Sequence, residues 1–134
     1  MSKEKILLVE DDSFLSNMYA TKLELEGYEV DIAEDGEVGY EKAVSGNPDV
    51  VLLDIMLPKL DGFGVLEKMK SNASTQNIPV ILLTNLSQNE DIQKGLALGA
   101  NDYLVKAHFM PSEVVAKIKK LISGEGQTKQ EDEE

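Results

Sequence analysis

The sequence predicts an α/β fold, a parallel sheet of five strands with helices packed on both faces. Three observations carry that prediction. Short unbroken apolar runs, Ile6-Leu7-Leu8-Val9, Val50-Val51-Leu52-Leu53 and Pro79-Val80-Ile81-Leu82-Leu83, read as strands buried on both faces, which belong mostly to parallel sheets. Stretches of helical period separate them. Each run also stops at a polar residue, Glu10, Asp54 or Thr84.

In chain order, the first run ends in Glu10-Asp11-Asp12, and from Ser13 the period changes. Phe14, Met18, Thr21 and Leu25 share one helical face, and Gly27 stands where a left-handed C-terminal cap is usual. Glu29-Val30-Asp31-Ile32-Ala33 alternates polar with apolar, the mark of a half-exposed strand and so of a sheet edge. Asp35-Gly36 opens a helix to about Val44, and Ser45-Gly46-Asn47-Pro48 leads into the central strand. After Asp54, Leu57 to Gly62 forms a turn, with Asp61 placed to cap a helix carrying Phe63, Leu66 and Met69 on one side to near Asn72. Pro79 is tolerated at the first position of the fourth strand. Ile92, Leu96 and Gly99 give only a short, weak stripe for the next helix. Asp102-Tyr103-Leu104-Val105 is a short last strand ending in Lys106. Pro111 starts a helix with Val114, Val115, Ile118, Leu121 and Ile122 on one face, the clearest helical period in the chain.

Five strands alternating with five helices, with the two weakest strands second and fifth, fit the flavodoxin-like order 2-1-3-4-5, a (βα)5 three-layer sandwich. Residues 1–122 form that domain. Residues 123–134, rich in Gly, Gln and Glu without a large apolar residue, read as a disordered acidic tail. No output domain follows Ile122, so the expectation is a stand-alone unit.

Composition narrows the function classes. The absence of cysteine leaves neither a disulfide framework nor thiol chemistry. A formal net charge of -12 argues against direct binding to nucleic acid or an anionic membrane, and favours a divalent cation or a basic protein partner. The apolar run near the N-terminus is too short for a signal peptide or membrane span, so a cytoplasmic protein is expected.

Right-handed crossovers bring all parallel strands to an end on one edge of the sheet. That edge collects Asp11, Asp12 and Asp54 with Thr84 and Lys106. Clustered carboxylates repel and raise one another's pKa. A small hard cation such as Mg²⁺, which takes oxygen ligands, relieves the repulsion. Asp12 also suits a helix cap ahead of Ser13. Glu10 reads as a structural or solvated acid outside the site.

This ordered set, Asp11-Asp12, Asp54, Thr84, Tyr103 and Lys106, with Pro58, Asp61-Gly62, Ile78-Pro79 and Gly99-Ala100-Asn101-Asp102-Tyr103, resembles the receiver domain of two-component response regulators, the CheY-like family. The likeness spans about residues 5–122. It implies that Asp54 accepts a phosphoryl group from a histidine kinase or histidine phosphotransfer protein. It further implies that Mg²⁺ is held directly by Asp12, mainly through water by Asp11, and by Asp54 and the Met56 carbonyl. Lys106 would pair with Asp54 at rest and with a phosphoryl oxygen afterwards. Thr84 would hydrogen-bond another oxygen, and Tyr103 would turn inward as the switch aromatic. The readout face would be the fourth helix, fifth strand and fifth helix, acting on a downstream protein. Such a protein is a phosphoacceptor that assists its own phosphorylation and dephosphorylation, not an enzyme with a separate substrate.

The chain departs from the family in several places. Ala107 follows Lys106 where the family usually has proline after a cis bond, and that bond costs about 3 kcal/mol before any other residue. Met110 is a poor cap for the helix at Pro111. Asn85 replaces the usual small residue beside Thr84, which is expected to slow phosphorylation or touch the phosphoryl oxygens. Met56 and Leu86 offer no group to orient attacking water, which implies a long-lived aspartyl phosphate. His108, the only histidine, reads as an exposed loop residue. Two rival readings follow: a degenerate receiver serving as a phosphorylation-independent scaffold, and a haloacid-dehalogenase-like phosphohydrolase. The second lacks its acid two residues past the nucleophile, where Met56 stands.

Overall fold

Val50–Asp54 and Val80–Thr84 are buried along their whole length, which a sheet achieves only between two layers of helix. The computed structural model describes residues 4–84, 89–106 and 111–123. Asn85, Leu86, Ala107, His108, Met110 and residues 124–134, on which several of the expectations above fall, lie outside the described residues, as does the Lys106–Ala107 bond.

The elements run β1 (Lys5–Val9), α1 (Ser13–Leu25), β2 (Glu29–Ala33), α2 (Gly36–Gly46), β3 (Val50–Asp54), α3 (Gly62–Lys70), β4 (Val80–Thr84), α4 (Asn89–Ala97), β5 (Asp102–Val105) and α5 (Pro111–Ser123). The sheet is parallel in the order β2-β1-β3-β4-β5, the flavodoxin-like arrangement that the strand patterns predict. β2 shows the half-exposed alternation of an edge strand, and β5 is the other edge.

Strand parity sorts the core into two layers. Leu7, Val9, Val51, Leu53, Val80 and Leu82 point to one face, where Ala43 of α2 and Val65, Leu66 and Met69 of α3 cover them. Ile6, Leu8, Val50, Leu52, Ile81, Leu83 and Leu104 point to the other, against Tyr19 and Leu23 of α1 and Val114, Val115 and Ile118 of α5.

Two helices differ from expectation. In α1 the predicted apolar face is the solvent face: Phe14 is 76% exposed and Leu25 78% exposed, while Ser16, Tyr19, Ala20 and Leu23 are buried. Tyr19 and Leu23 supply the bulk of that buried face, in one layer with Leu8 and Leu52, and the small Ser16 and Ala20 complete it. In α4 the buried residues are Ile92 and Gly95, and Leu96 is 37% exposed. Gly95 lies so close to β4 that a Cβ there would collide with the tip of Leu82.

The entry of β5 is fastened to β4 at two points. Asn101 donates its backbone N–H to the Val80 carbonyl at 2.8 Å, and its side-chain oxygen accepts the Val80 N–H at 3.0 Å. That second bond satisfies the first amide donor after Pro79.

Candidate functional site

The register of the sheet decides which side chains meet at its carboxyl edge. Val9 pairs with Leu53, so the next residues, Glu10 and Asp54, stand side by side on adjacent strands. Both follow the parity of Leu8 and Leu52, toward α1 and α5. Both are almost wholly buried, at 1% and 2% exposure. Two carboxylates buried together need a counter-charge, and Lys106 supplies it from the end of β5. Its Nζ donates to Glu10 Oε1 at 2.9 Å and to Asp54 Oδ2 at 3.1 Å.

The remaining oxygens are held by backbone. Asp54 Oδ1 accepts the Met56 N–H at 3.3 Å, and Glu10 Oε2 accepts the Asp12 N–H at 3.1 Å. Gly62, at the start of α3, touches the strand end itself: its N–H donates to the Ile55 carbonyl at 2.8 Å, and a Cβ on it would fall on the Asp54 carbonyl oxygen. Asp61 caps α3 by accepting the Gly64 N–H at 2.9 Å.

Burial pushes the Asp54 carboxyl up to about 6, with the neighbouring Glu10 charge acting the same way and Lys106 opposing both. Burial alone would lower the Lys106 pKa. The hydrogen bond that Lys106 donates to Glu10 and the charges of Asp54 and Glu10 outweigh it, and the ammonium is held above its ordinary range.

Carboxylate oxygens of Glu10, Asp11 and Asp54 lie within 4.8 Å of one another. A set of hard anionic oxygens open to solvent on the Asp11 side suits Mg²⁺, which keeps several of its waters. Asp12 is not in that set. Its Oδ1 accepts the Phe14 and Leu15 N–H groups at 2.9 and 3.2 Å, which makes it the N-cap of α1, the alternative its position before Ser13 leaves open. Glu10, which the sequence reading places outside the site, is at its centre. The signal for it was present: Glu10 ends the first apolar run as Asp54 ends the third.

The other expected residues are more dispersed. Thr84 is buried at the end of β4, one residue past Leu83, which pairs with Asp54. Tyr103, on the edge strand opposite Leu82, is 36% exposed and does not lie inward. The Met56 side chain is exposed beside Asp54.

Comparison with known proteins agrees with this arrangement. Residues 6–119 match the family described as the response regulator receiver domain. The chain is 41% identical over 118 residues to the DNA-binding dual master transcriptional regulator RpaA of Synechocystis, an alignment covering 88% of this chain and 48% of that protein. It thus spans about half the length of the curated relatives it matches. Among solved structures it superposes on the chemotaxis protein CheY4 of Vibrio cholerae with a TM-score of 0.83 at 29% identity, covering 90% of this chain and 99% of that one. The receiver domain of the sensor histidine kinase PA1611 of Pseudomonas aeruginosa, with a magnesium ion coordinated in its active site cleft, gives a TM-score of 0.84 at 30% identity and covers 91% and 99%. No helix among the described residues is long and apolar enough to cross a membrane.

Proposed function

This chain belongs to the response regulator receiver family, and on that premise we propose that Asp54 accepts a phosphoryl group from a histidine kinase or histidine phosphotransfer protein. One observation carries the reading: a buried carboxylate at the end of the central strand, bonded to Lys106 and set beside Glu10 and Asp11.

An Asp54 carboxylate oxygen attacks the phosphorus of a phosphohistidine in line, the P–N bond breaks, and the imidazole leaves with its electron pair. Glu10, Asp11 and Asp54 are the side chains that would hold Mg²⁺, with the Met56 carbonyl as a further oxygen ligand; Asp12 caps α1 instead. When bound, the ion supplies charge neutralisation for the approaching phosphoryl oxygens. Lys106, bonded to Asp54 Oδ2 at rest, moves its ammonium to a phosphoryl oxygen as the carboxylate charge is consumed. Glu10 keeps a hold on that ammonium from the other side. Thr84 donates its hydroxyl to another phosphoryl oxygen, and Tyr103 follows it inward from its exposed position.

The surface of α4, β5 and α5 then changes for a downstream protein. In support, α4 buries only Ile92 and Gly95, the lightest anchoring of the helices whose buried residues are described. Exposure of Tyr103 leaves room for it to move.

Acetyl phosphate with Mg²⁺ tests the reading by intact mass. The wild type should gain one phosphoryl group, and Asp54→Asn none. A wild type that gains nothing, from acetyl phosphate or from a panel of histidine kinases, points instead to a phosphorylation-independent scaffold.

A further inference from the structure

Lys94 stands in α4 with one acid four residues before it, Glu90, and another three before it, Asp91. At those spacings a helical lysine ordinarily pairs with an acid of its own helix. It forms an ion pair with neither. Its ammonium lies instead over the ring of Phe63 in α3, 4.5 Å from the centroid, well within the range of a cation–π attraction. The same ring meets the next residue of α4: Phe63 Cε1 lies 3.7 Å from where a Cβ on Gly95 would stand.

The two partners are anchored differently. Phe63 is half-buried against the layer that holds Val65, Leu66 and Leu82. It follows Gly62, whose N–H donates at 2.8 Å to the carbonyl of Ile55, one residue past Asp54. The ring is therefore fixed to the strand end that carries the proposed phosphoacceptor. α4 buries only Ile92 and Gly95, and among the described residues no ion pair or side-chain hydrogen bond ties it to another element. α5 is held more firmly, since Lys117 binds Asp102 of β5 at 2.8 Å. α4 also has room beside it. A cavity of about 600 Å³ is lined from the ends of β1 and β3 by Asp11, Met56 and Pro58, and from the helices by Phe63 and Asp91.

We propose that this contact regulates the phosphorylation site: Lys94, resting on a ring fixed to the end of β3, latches α4 in its unphosphorylated position and so opposes the switch. The latch is closed in the form whose Asp54 is paired with Lys106. A cation–π attraction fades beyond about 6 Å from the ring, so a shift of α4 releases it. A contact made in one of two states and lost in the other biases the equilibrium between them, about threefold for an exposed contact of this class. That the switch answers to Asp54 phosphorylation rests on the reading above; that Lys94 holds α4 does not.

Two measurements on the full chain separate these points. The first is amide hydrogen exchange over residues 92–97 of the unphosphorylated protein. Lys94→Met keeps the helix propensity and much of the length of the side chain but not its charge, whereas Lys94→Arg keeps the charge. Lys94→Met and Phe63→Leu should each speed exchange about threefold, and Lys94→Arg should exchange as the wild type does. Lys94→Met should add nothing in a Phe63→Leu background, since both act through one contact. Unchanged exchange in Lys94→Met overturns the proposal, and so does an equal acceleration with and without the ring. The second measurement is the concentration of beryllofluoride, an unreactive phosphoryl mimic, that half-saturates the protein in Mg²⁺, followed at the Gly95 amide resonance. Lys94→Met should lower it about threefold. An unmoved midpoint means that the contact does not oppose the switch, and also overturns the proposal. A wild type that binds no beryllofluoride removes the phosphoacceptor reading, and the exchange rates then decide alone whether Lys94 holds α4.

Discussion

The two ends of the carboxyl edge are built differently. On the β1–β3 side, Glu10 and Asp54 are buried, and each has both carboxylate oxygens hydrogen-bonded. On the β4–β5 side, Tyr103 is 36% exposed on an edge strand, and α4 rests on Ile92 and Gly95. A charged group in a dry site must have its partners fixed in advance, because leaving one unpaired costs several kcal/mol. A residue that is to change place must not be held so firmly. The first end is held by fixed ion pairs and hydrogen bonds, and the second by fewer buried contacts.

Removing the shared cation should do the most damage. Lys106→Met leaves Glu10 and Asp54 facing one another without a counter-charge, and should cost about 3 kcal/mol of unfolding free energy at pH 7 in urea titration. Most of that should return in Lys106→Met/Asp54→Asn. A single variant as stable as wild type would show that the acid end is not held by its ions. Glycine substitutions compare the ends next. Gly62→Ala must displace the Asp54 backbone and should cost about 2 kcal/mol. Gly95→Ala meets only the tip of Leu82 and gains up to about 1 kcal/mol of helix propensity, so it should be nearly neutral. Equal losses at both positions would erase the contrast.

The pH dependence sharpens it further. Because the folded Asp54 pKa, about 6, lies above its ordinary value of 3.8, the folded state holds the proton more tightly than the unfolded chain. The stability this contributes is fully present below about pH 4 and is lost as pH rises through 6. In the absence of metal, Asp54→Asn should therefore melt higher than wild type at pH 7, by about 1–2 kcal/mol, with the gain fading toward pH 4. A gain that grows on acidification would reverse the assignment. Smallest of all, Tyr103→Ala should alter stability by no more than about 0.5 kcal/mol, as for other surface residues. A larger loss by thermal unfolding would mean that the β5 edge is anchored after all.

The sheet was legible because buried strands announce themselves twice, in an unbroken apolar run and in the polar residue that stops it. Sheet order followed from the two strands that broke the pattern. Helix faces were harder to read. In α1 two stripes compete, and the one carrying Phe14, Met18 and Leu25 lies in solvent while Tyr19 and Leu23, with Ser16 and Ala20, face the sheet. Side-chain type alone does not reveal how near a helix lies to its neighbour. At the site, Asp54 and Lys106 were readable from their places at strand ends. The assignment among Glu10, Asp11 and Asp12 turned on one residue of register: the strand's pairing continues through Glu10, whose N–H donates to the Ala33 carbonyl at 3.0 Å, and the helix claims Asp12. Three consecutive acids look alike in a sequence, and only the backbone separates them.

The double fastening at Asn101 sets the mechanics of the last strand. With Asn101, the residue before it, tied to Val80 through both backbone and side chain, β5 enters the sheet from a fixed point, and its pairing with β4 runs on to Val105 beside Thr84. Lys106 is the first residue past that ladder, so it is where the chain can shift without breaking a strand pairing.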